Sequence, residues 1–250
     1  MIRFENVTKS FGSRQILRGV NLEIEKGKTT VIFGVSGGGK STIIKHIVGL
    51  LKPDSGTITL DGTRVDDADE TTLRSIRTKV GFLFQNGALF DSMNIRDNVA
   101  FPMREHQNLT PKELEYKIDE KITMVGLKPS IVKSLYPEEL SGGMRKRVGL
   151  ARTLALEPEV ILYDEPTSGL DPVTSDFITQ MICRLRDEMG MTSVLISHDI
   201  GESFKAGDNY AMLFDGVIVE TGNKESFIAS SNEVVQQFIH ARANGPIAFH

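Results

Sequence analysis

The sequence predicts an α/β fold: a parallel sheet covered by helices, a smaller antiparallel β part and a helical insertion. Three observations carry this reading. Residues 29–33 form a short β-branched run, residues 41–51 carry apolar side chains at helical spacing, and a glycine-rich loop joins them. Residues 160–163 are apolar on both faces, as in a strand covered on either side. A mainly helical zone lies between these segments, and strand and helix signals alternate again after them.

Taken in order, residues 1–30 and 56–65 read as alternating strands with turn signals such as Ile58-Thr59-Leu60-Asp61-Gly62. The opening residues read as a strand and a turn rather than a charged and apolar leader. Residues 90–155 read as mainly helical, with charges over 111–126 alternating against Leu114, Ile118, Ile122 and Val125. The stretch from 85 to 141 is thus a helical insertion in one α/β core. Residues 157–222 return to alternation, with a helix expected over 176–189 and an apolar run at 193–196. A last helix is expected over 232–242, followed by a short tail over 244–250. The expected division is residues 1–225 as the principal domain, with its helical subdomain at about 90–155, and 226–250 as a C-terminal helix and tail.

Composition sets limits. A chain of this length buries roughly 70–75% of its unfolded surface. The net charge of −4 implies no broad affinity for nucleic acid. The single cysteine, Cys183, is expected to be a small core residue in a reducing compartment. No apolar run approaches the roughly 18 residues that a spanning helix needs. The expectation is a cytoplasmic chain whose membrane role comes through a partner.

Gly34-Val35-Ser36-Gly37-Gly38-Gly39-Lys40-Ser41 fits the phosphate-loop pattern G-x-x-x-x-G-K-[ST] at every fixed position. Glycines let the backbone curl so that N–H groups point at an anion, and the following helix adds its positive dipole end. Lys40 would reach the β- and γ-phosphates of ATP, and the Ser41 hydroxyl would hold Mg²⁺. Ser36, Gly37, Gly38, Gly39, Lys40, Ser41 and Thr42 are the residues expected to cradle the nucleotide.

Asp164 and Glu165 end the apolar run at 160–163, where open α/β sheets place ligands. A lone aspartate there could cap a helix. Downstream of a phosphate loop, Asp164 reads instead as the Mg²⁺ partner, and Glu165 as the residue that orients or deprotonates the attacking water.

At Leu140-Ser141-Gly142-Gly143-Met144 the chain resembles the ATP-binding-cassette (ABC) ATPases, and the resemblance covers nearly the whole chain. It implies a phosphate-loop NTPase fold with a RecA-like core, an antiparallel β subdomain and a helical subdomain. It implies that Gln85 is the glutamine that touches Mg²⁺ or water. Ser168-Gly169-Leu170-Asp171 matches the family's dimer-interface loop, with Asp171 near the nucleotide; His198 matches the switch histidine, and Phe11 the aromatic that stacks on adenine. In that family Ser141, Gly142 and Gly143 of one subunit close over the nucleotide held by another, so the working unit is a homodimer. The signature here ends in Met144, where the family usually has glutamine.

Residues 82–106, FLFQNGALFDSMNIRDNVAFPMREH, narrow the resemblance to the Mla-type ATPases of lipid transport systems. The signature ending in Met144 and the tail Gly245-Pro246-Ile247-Ala248-Phe249 also resemble that group. The resemblance implies a pair of ATPases, an integral membrane permease, an MCE-domain protein and, in many such systems, a small STAS-domain protein. It places the ATPase on the cytoplasmic face of the inner membrane, powering phospholipid movement between inner and outer membranes. Leu89, Phe90, Met93 and Ile95 are expected to form an exposed apolar patch against the permease. A second reading keeps the ATPase and changes the cargo to another small solute. A third, a non-transport ATPase acting on ribosomes or DNA, fits poorly with one cassette, no heptad arm and a negative charge.

Overall fold

The structure, a computed structural model, describes residues 1–248 of the 250. The chain opens with a hairpin of β1 (Ile2–Phe11) and β2 (Arg14–Ile24), then enters β3 (Thr29–Gly34) and α1 (Lys40–Ile47). Next come β4 (Ser55–Leu60), β5 (Thr63–Arg64), α2 (Glu70–Lys79) and β6 (Val80–Leu83). The helical zone is α3 (Ile95–His106), α4 (Pro111–Met124), α5 (Pro129–Val132) and α6 (Gly142–Thr153). The alternating part follows as β7 (Val160–Asp164), α7 (Pro172–Met189), β8 (Thr192–Ile196), α8 (Ile200–Ala206), β9 (Asn209–Phe214) and β10 (Val217–Asn223). Two short helices, α9 (Lys224–Ile228) and α10 (Glu233–Ile239), end the fold.

Two sheets form. The larger has the order β10-β9-β3-β8-β7-β6, parallel except for the β10–β9 edge pair. The smaller is antiparallel, in the order β2-β1-β4-β5. The larger sheet is buried on both faces, which is why its strands read as continuous apolar runs. Val31, Phe33, Ile161, Tyr163, Tyr210 and Met212 face the core shared with the helical zone. Ile32, Leu162, Val194, Ile196 and Leu213 face the other way, onto α1 and the small sheet. At roughly 25 cal/mol per Å² of apolar surface removed from water, these two layers supply most of the stabilisation.

This topology positions the site. β3, β7 and β8 are neighbours and β6 flanks β7, so the loops after Gly34, Asp164, Ile196 and Leu83 emerge at one carboxyl edge.

Several boundaries differ from the sequence reading. The helix expected over 41–51 begins at Lys40 and stops at Ile47, because Gly49 turns left-handed at φ 62. The helix expected over 176–189 begins at Pro172, with the Asp171 side chain accepting from the Val173 and Thr174 N–H groups. Helix α2 gave no apolar signal, since Ile76 is its one fully buried residue. Cys183 is half-buried at the edge of the core rather than within it, its Sγ 3.7 Å from the Lys205 carbonyl. Burial nonetheless raises its thiol pKa, which keeps it protonated.

The expected helix over 232–242 is the shorter α10, and the tail packs back on it. Gln237 is buried; its side-chain amide donates to the Ile247 carbonyl at 3.0 Å and its carbonyl accepts from the Ile247 N–H at 2.7 Å. Phe33, Phe204, Tyr210, Phe227 and Phe238 pack as one aromatic group that ties α9 and α10 to β3. Phe249 and His250, the end of the tail singled out by sequence, lie outside the described residues. Gln237→Leu leaves two buried backbone groups without partners and is expected to cost about 2 kcal/mol or more. A urea midpoint equal to that of the parent would show that this clamp does not hold the tail.

Candidate nucleotide site

The phosphate loop runs from Gly34 to Ser41 between β3 and α1. Gly37 (φ 71) and Gly39 (φ 102) adopt backbone conformations closed to most side chains, and they curl the loop over the helix start. The Lys40 ammonium is buried and donates to the carbonyls of Gly34 (2.7 Å) and Val35 (2.8 Å). Burial lowers its pKa, while Glu165 and Asp164 pull it back up. Ser36 and Gly37 are exposed at the tip; Ser41 and Thr42 are half-buried in the first turn.

The first turn of α1 carries no acidic residue, and neither does that of α6. By contrast α2, α3, α4, α8, α9 and α10 each place an aspartate or glutamate there; the four-residue α5 and α7 have none, but α7 is capped by the Asp171 carboxylate. The positive ends of α1 and α6 are therefore left uncompensated, which favours an incoming anion.

Asp164 ends β7, and its Oδ1 accepts from the Ser41 hydroxyl at 3.1 Å, so it is tied to the phosphate loop and caps no helix. Burial raises its carboxyl pKa, the Ser41 hydrogen bond opposes this, and neighbouring Glu165 adds to it. Glu165 follows at φ 53, a left-handed position rare for glutamate. Its Oε1 lies 2.5 Å from His198 Nε2, and its Oε2 accepts from the Gln85 amide at 3.3 Å. The same amide reaches Ser168 Oγ at 3.4 Å. Sequence-distant Gln85, Glu165, Ser168 and His198 thus meet at one point.

The remaining candidates stand apart from that point. Phe11 is 49% exposed at the tip of β1, with the Lys9 ammonium 5.7 Å from its ring centre, so it is not a core residue. Ser141 is exposed and caps α6, its hydroxyl accepting from the Met144 N–H at 3.2 Å. A Cβ on Gly143 would come within 2.6 Å of Thr174 Cγ2, so this glycine is also required by packing within the chain. Asp171 is exposed and caps α7; hydrogen bonds from the Thr174 hydroxyl and backbone hold its pKa down.

The expected apolar patch is only partly a surface. Ile95 is fully buried in the core, and Leu89 is half-buried against it. Phe90 is 41% exposed and Met93 half-buried. The buried Asn98 shapes this loop: it accepts from the Phe90 N–H at 2.8 Å and donates to the carbonyls of Phe90 and Met93. Arg152 donates to the carbonyls of Gly87 and Ala88 and lies 5.3 Å from the Phe90 ring centre. Sequence reasoning passed over Asn98, Arg152 and Lys146, because their partners are main-chain oxygens that no motif spells out.

Phe11, Ser36, Gly37, Ser141 and Asp171 are each open to solvent. One cavity, about 690 Å³, is lined by Arg3, Glu5, Glu23, Asn209 and Thr221 among others, and includes no residue of the phosphate loop. The polar groups converge instead on the open face around Glu165.

Comparison with known proteins agrees with this geometry. The profile of the family described as "ABC transporter" matches residues 17–168. The chain is 44% identical over 246 residues to the "Probable ribonucleotide transport ATP-binding protein mkl" of Mycobacterium leprae, covering 98% of this chain and 70% of that one. It is 38% identical over 249 residues to the "Intermembrane phospholipid transport system ATP-binding protein MlaF" of Escherichia coli K12, covering 100% of this chain and 92% of that one. Among solved structures, the dimeric post-hydrolysis state of the ATP-binding cassette MJ0796 bound to ADP and Pi superposes with a TM-score of 0.83 at 34% identity, covering 89% of this chain and 98% of that one. No helix among the described residues is long and apolar enough to cross a membrane. On its phosphate loop, its two-sheet architecture and these matches, the chain belongs to the ABC transporter family as an ATP-binding, ATP-hydrolysing subunit.

Proposed function

We propose that this chain powers phospholipid transport between the inner and outer membranes, working as a pair of ATPase subunits on the cytoplasmic face of a membrane permease. The convergence of Gln85, Glu165 and His198 beside the Ser41–Asp164 contact carries the chemistry. Phe11 offers its exposed ring to adenine, and residues 36–42 take the phosphates. Ser141 and Gly143 of a second copy close the open face, bringing the uncompensated end of α6 to the γ-phosphate. Glu165 then takes a proton from the attacking water, and His198 reports on the phosphate it faces. Asp171 links one site to the other. The catalysis is positioning and charge stabilisation.

The donor set fits Mg²⁺. The Ser41 hydroxyl and the Asp164 carboxylate are adjacent hard oxygens, and Gln85, whose amide nitrogen donates to Glu165, would supply its amide oxygen. When bound there, Mg²⁺ would neutralise charge developing on the β- and γ-phosphates.

End-to-end correspondence with the phospholipid ATPases supports the lipid cargo, together with the 82–106 segment. Partners consistent with it are a permease, an MCE-domain protein and a STAS-domain protein. The higher identity to a relative named for ribonucleotide transport favours a second reading, in which the same engine drives another cargo.

Exposed Phe90 and half-buried Met93 form the surface beyond Gln85 and are the proposed permease contact. Replacing both with aspartate puts unpaired charge into a desolvated contact, and permease recovery in a pull-down is expected to fall by at least about tenfold. ATP binding should persist, since the phosphate loop lies elsewhere. A folded double variant that retains the permease places the contact elsewhere. A recovered permease that moves nucleotides, but not phospholipid, between vesicles would replace the lipid reading with the second one.

A further inference from the structure

Helix α6, which begins at the signature turn, carries a buried cation that the scheme above leaves unused. Lys146 is 6% exposed. Its ammonium donates to the main-chain oxygen of Glu165 at 3.2 Å and to that of Ser168. Both acceptors belong to the turn that presents the Glu165 carboxylate. Among the described residues no carboxylate hydrogen-bonds the ammonium, so what it binds is the shape of that turn.

The turn needs holding. Glu165 keeps its left-handed backbone only because its surroundings fix it. Its N–H donates to the Ile196 carbonyl at 2.9 Å, and its own carbonyl accepts from the Ser168 N–H at 3.2 Å as well as from Lys146. The Gln85 amide also donates to the side chains of the same two residues. Burial pushes the Lys146 ammonium down to about 8, with the nearby Glu165 carboxylate opposing, so it still carries its proton at neutral pH. Lys146 lies on the helix capped by Ser141, about 7.5 Å along the axis from that residue.

We propose that Lys146 is a positioning residue for hydrolysis: it pins the 165–168 turn to the signature helix, so that movement of Ser141 onto a nucleotide is passed to the carboxylate that activates water. This rests on the reading of Glu165 as that carboxylate.

The test compares Lys146→Met, Lys146→Arg and Glu165→Gln in the full chain, measuring ATP affinity, kcat and KM. Lys146→Met removes the donors and keeps the bulk; kcat should fall at least about tenfold with KM within about twofold. Lys146→Arg restores donors to both carbonyls and should recover most of that loss. Unchanged kcat in Lys146→Met overturns the proposal, as does an arginine variant no better than the methionine one. Should Lys146→Met fail to fold, Lys146→Leu, which also lacks donors, takes its place with the same reading, and loss of folding in both makes the lysine purely structural. An inactive Glu165→Gln beside a fully active Lys146→Met defeats only this inference. A fully active Glu165→Gln defeats the reading beneath it.

Discussion

Glu165→Gln should stop ATP turnover while leaving nucleotide binding in place. The substitution keeps the size of the side chain and its reach to Gln85 and His198, 3.3 and 2.5 Å away. It removes the one property the proposed chemistry needs, a carboxylate that takes a proton. Losing a positioned base costs about a hundredfold or more in rate. Lys40, Ser41 and Phe11 are untouched, so the affinity of a single chain for ATP should remain near that of the parent. Binding without hydrolysis should trap the closed form, read as an ATP-dependent dimer by size exclusion. Turnover near the parental rate would remove Glu165 from the role. By contrast Lys40→Ala should lose nucleotide affinity itself.

Ser141→Arg should separate binding from turnover in a different way. Ser141 is exposed at the start of α6, and its hydroxyl accepts from the Met144 N–H of its own helix. An arginine there would stand between two subunits, against the partner's phosphates, and should block closure. Turnover is expected to fall by about a hundredfold, equal to about 2.7 kcal/mol. Single-chain ATP affinity should hold. Loss of the helix cap is a separate effect, worth about 1 kcal/mol of stability. Ser141→Ala loses the cap without the bulk and serves as the control. If arginine and alanine reduce turnover equally, the damage is to the helix and not to a shared site.

The parts of this protein that were legible in its sequence are those where a residue type dictates a geometry. The phosphate loop is one, because glycine spacing and a lysine at the helix start leave few alternatives. The run into Asp164 is another, since a strand buried on both faces has no polar residue to interrupt it. Available signals were also passed over. Asp171-Pro172 is a cap followed by a first-turn proline, and Gly49 is a stop signal for α1. Other features were not legible. Helix α2 turns a polar face to water and rests on Ile76, so no periodic stripe marks it. Leu89, Phe90, Met93 and Ile95 look alike in a row, and only the fold assigns Ile95 to the core and Phe90 to the surface. Lys146, Arg152 and Gln237 act on main-chain groups, so nothing in the residue types of their partners announces them.

On the proposed scheme each ATP is hydrolysed between two chains, with the phosphate loop of one and the signature turn of the other. Mixing Lys40→Ala chains with Ser141→Arg chains tests it most directly. Each variant alone should be inactive, since every site in its homodimer is damaged. In a mixed dimer both lesions fall in one site, and the other joins an intact phosphate loop to an intact signature turn. The mixture should therefore hydrolyse ATP where neither parent does, with activity rising and falling as the proportion of mixed dimers. A mixture as inactive as its separate components, in chains shown to associate, would contradict a site built from two subunits.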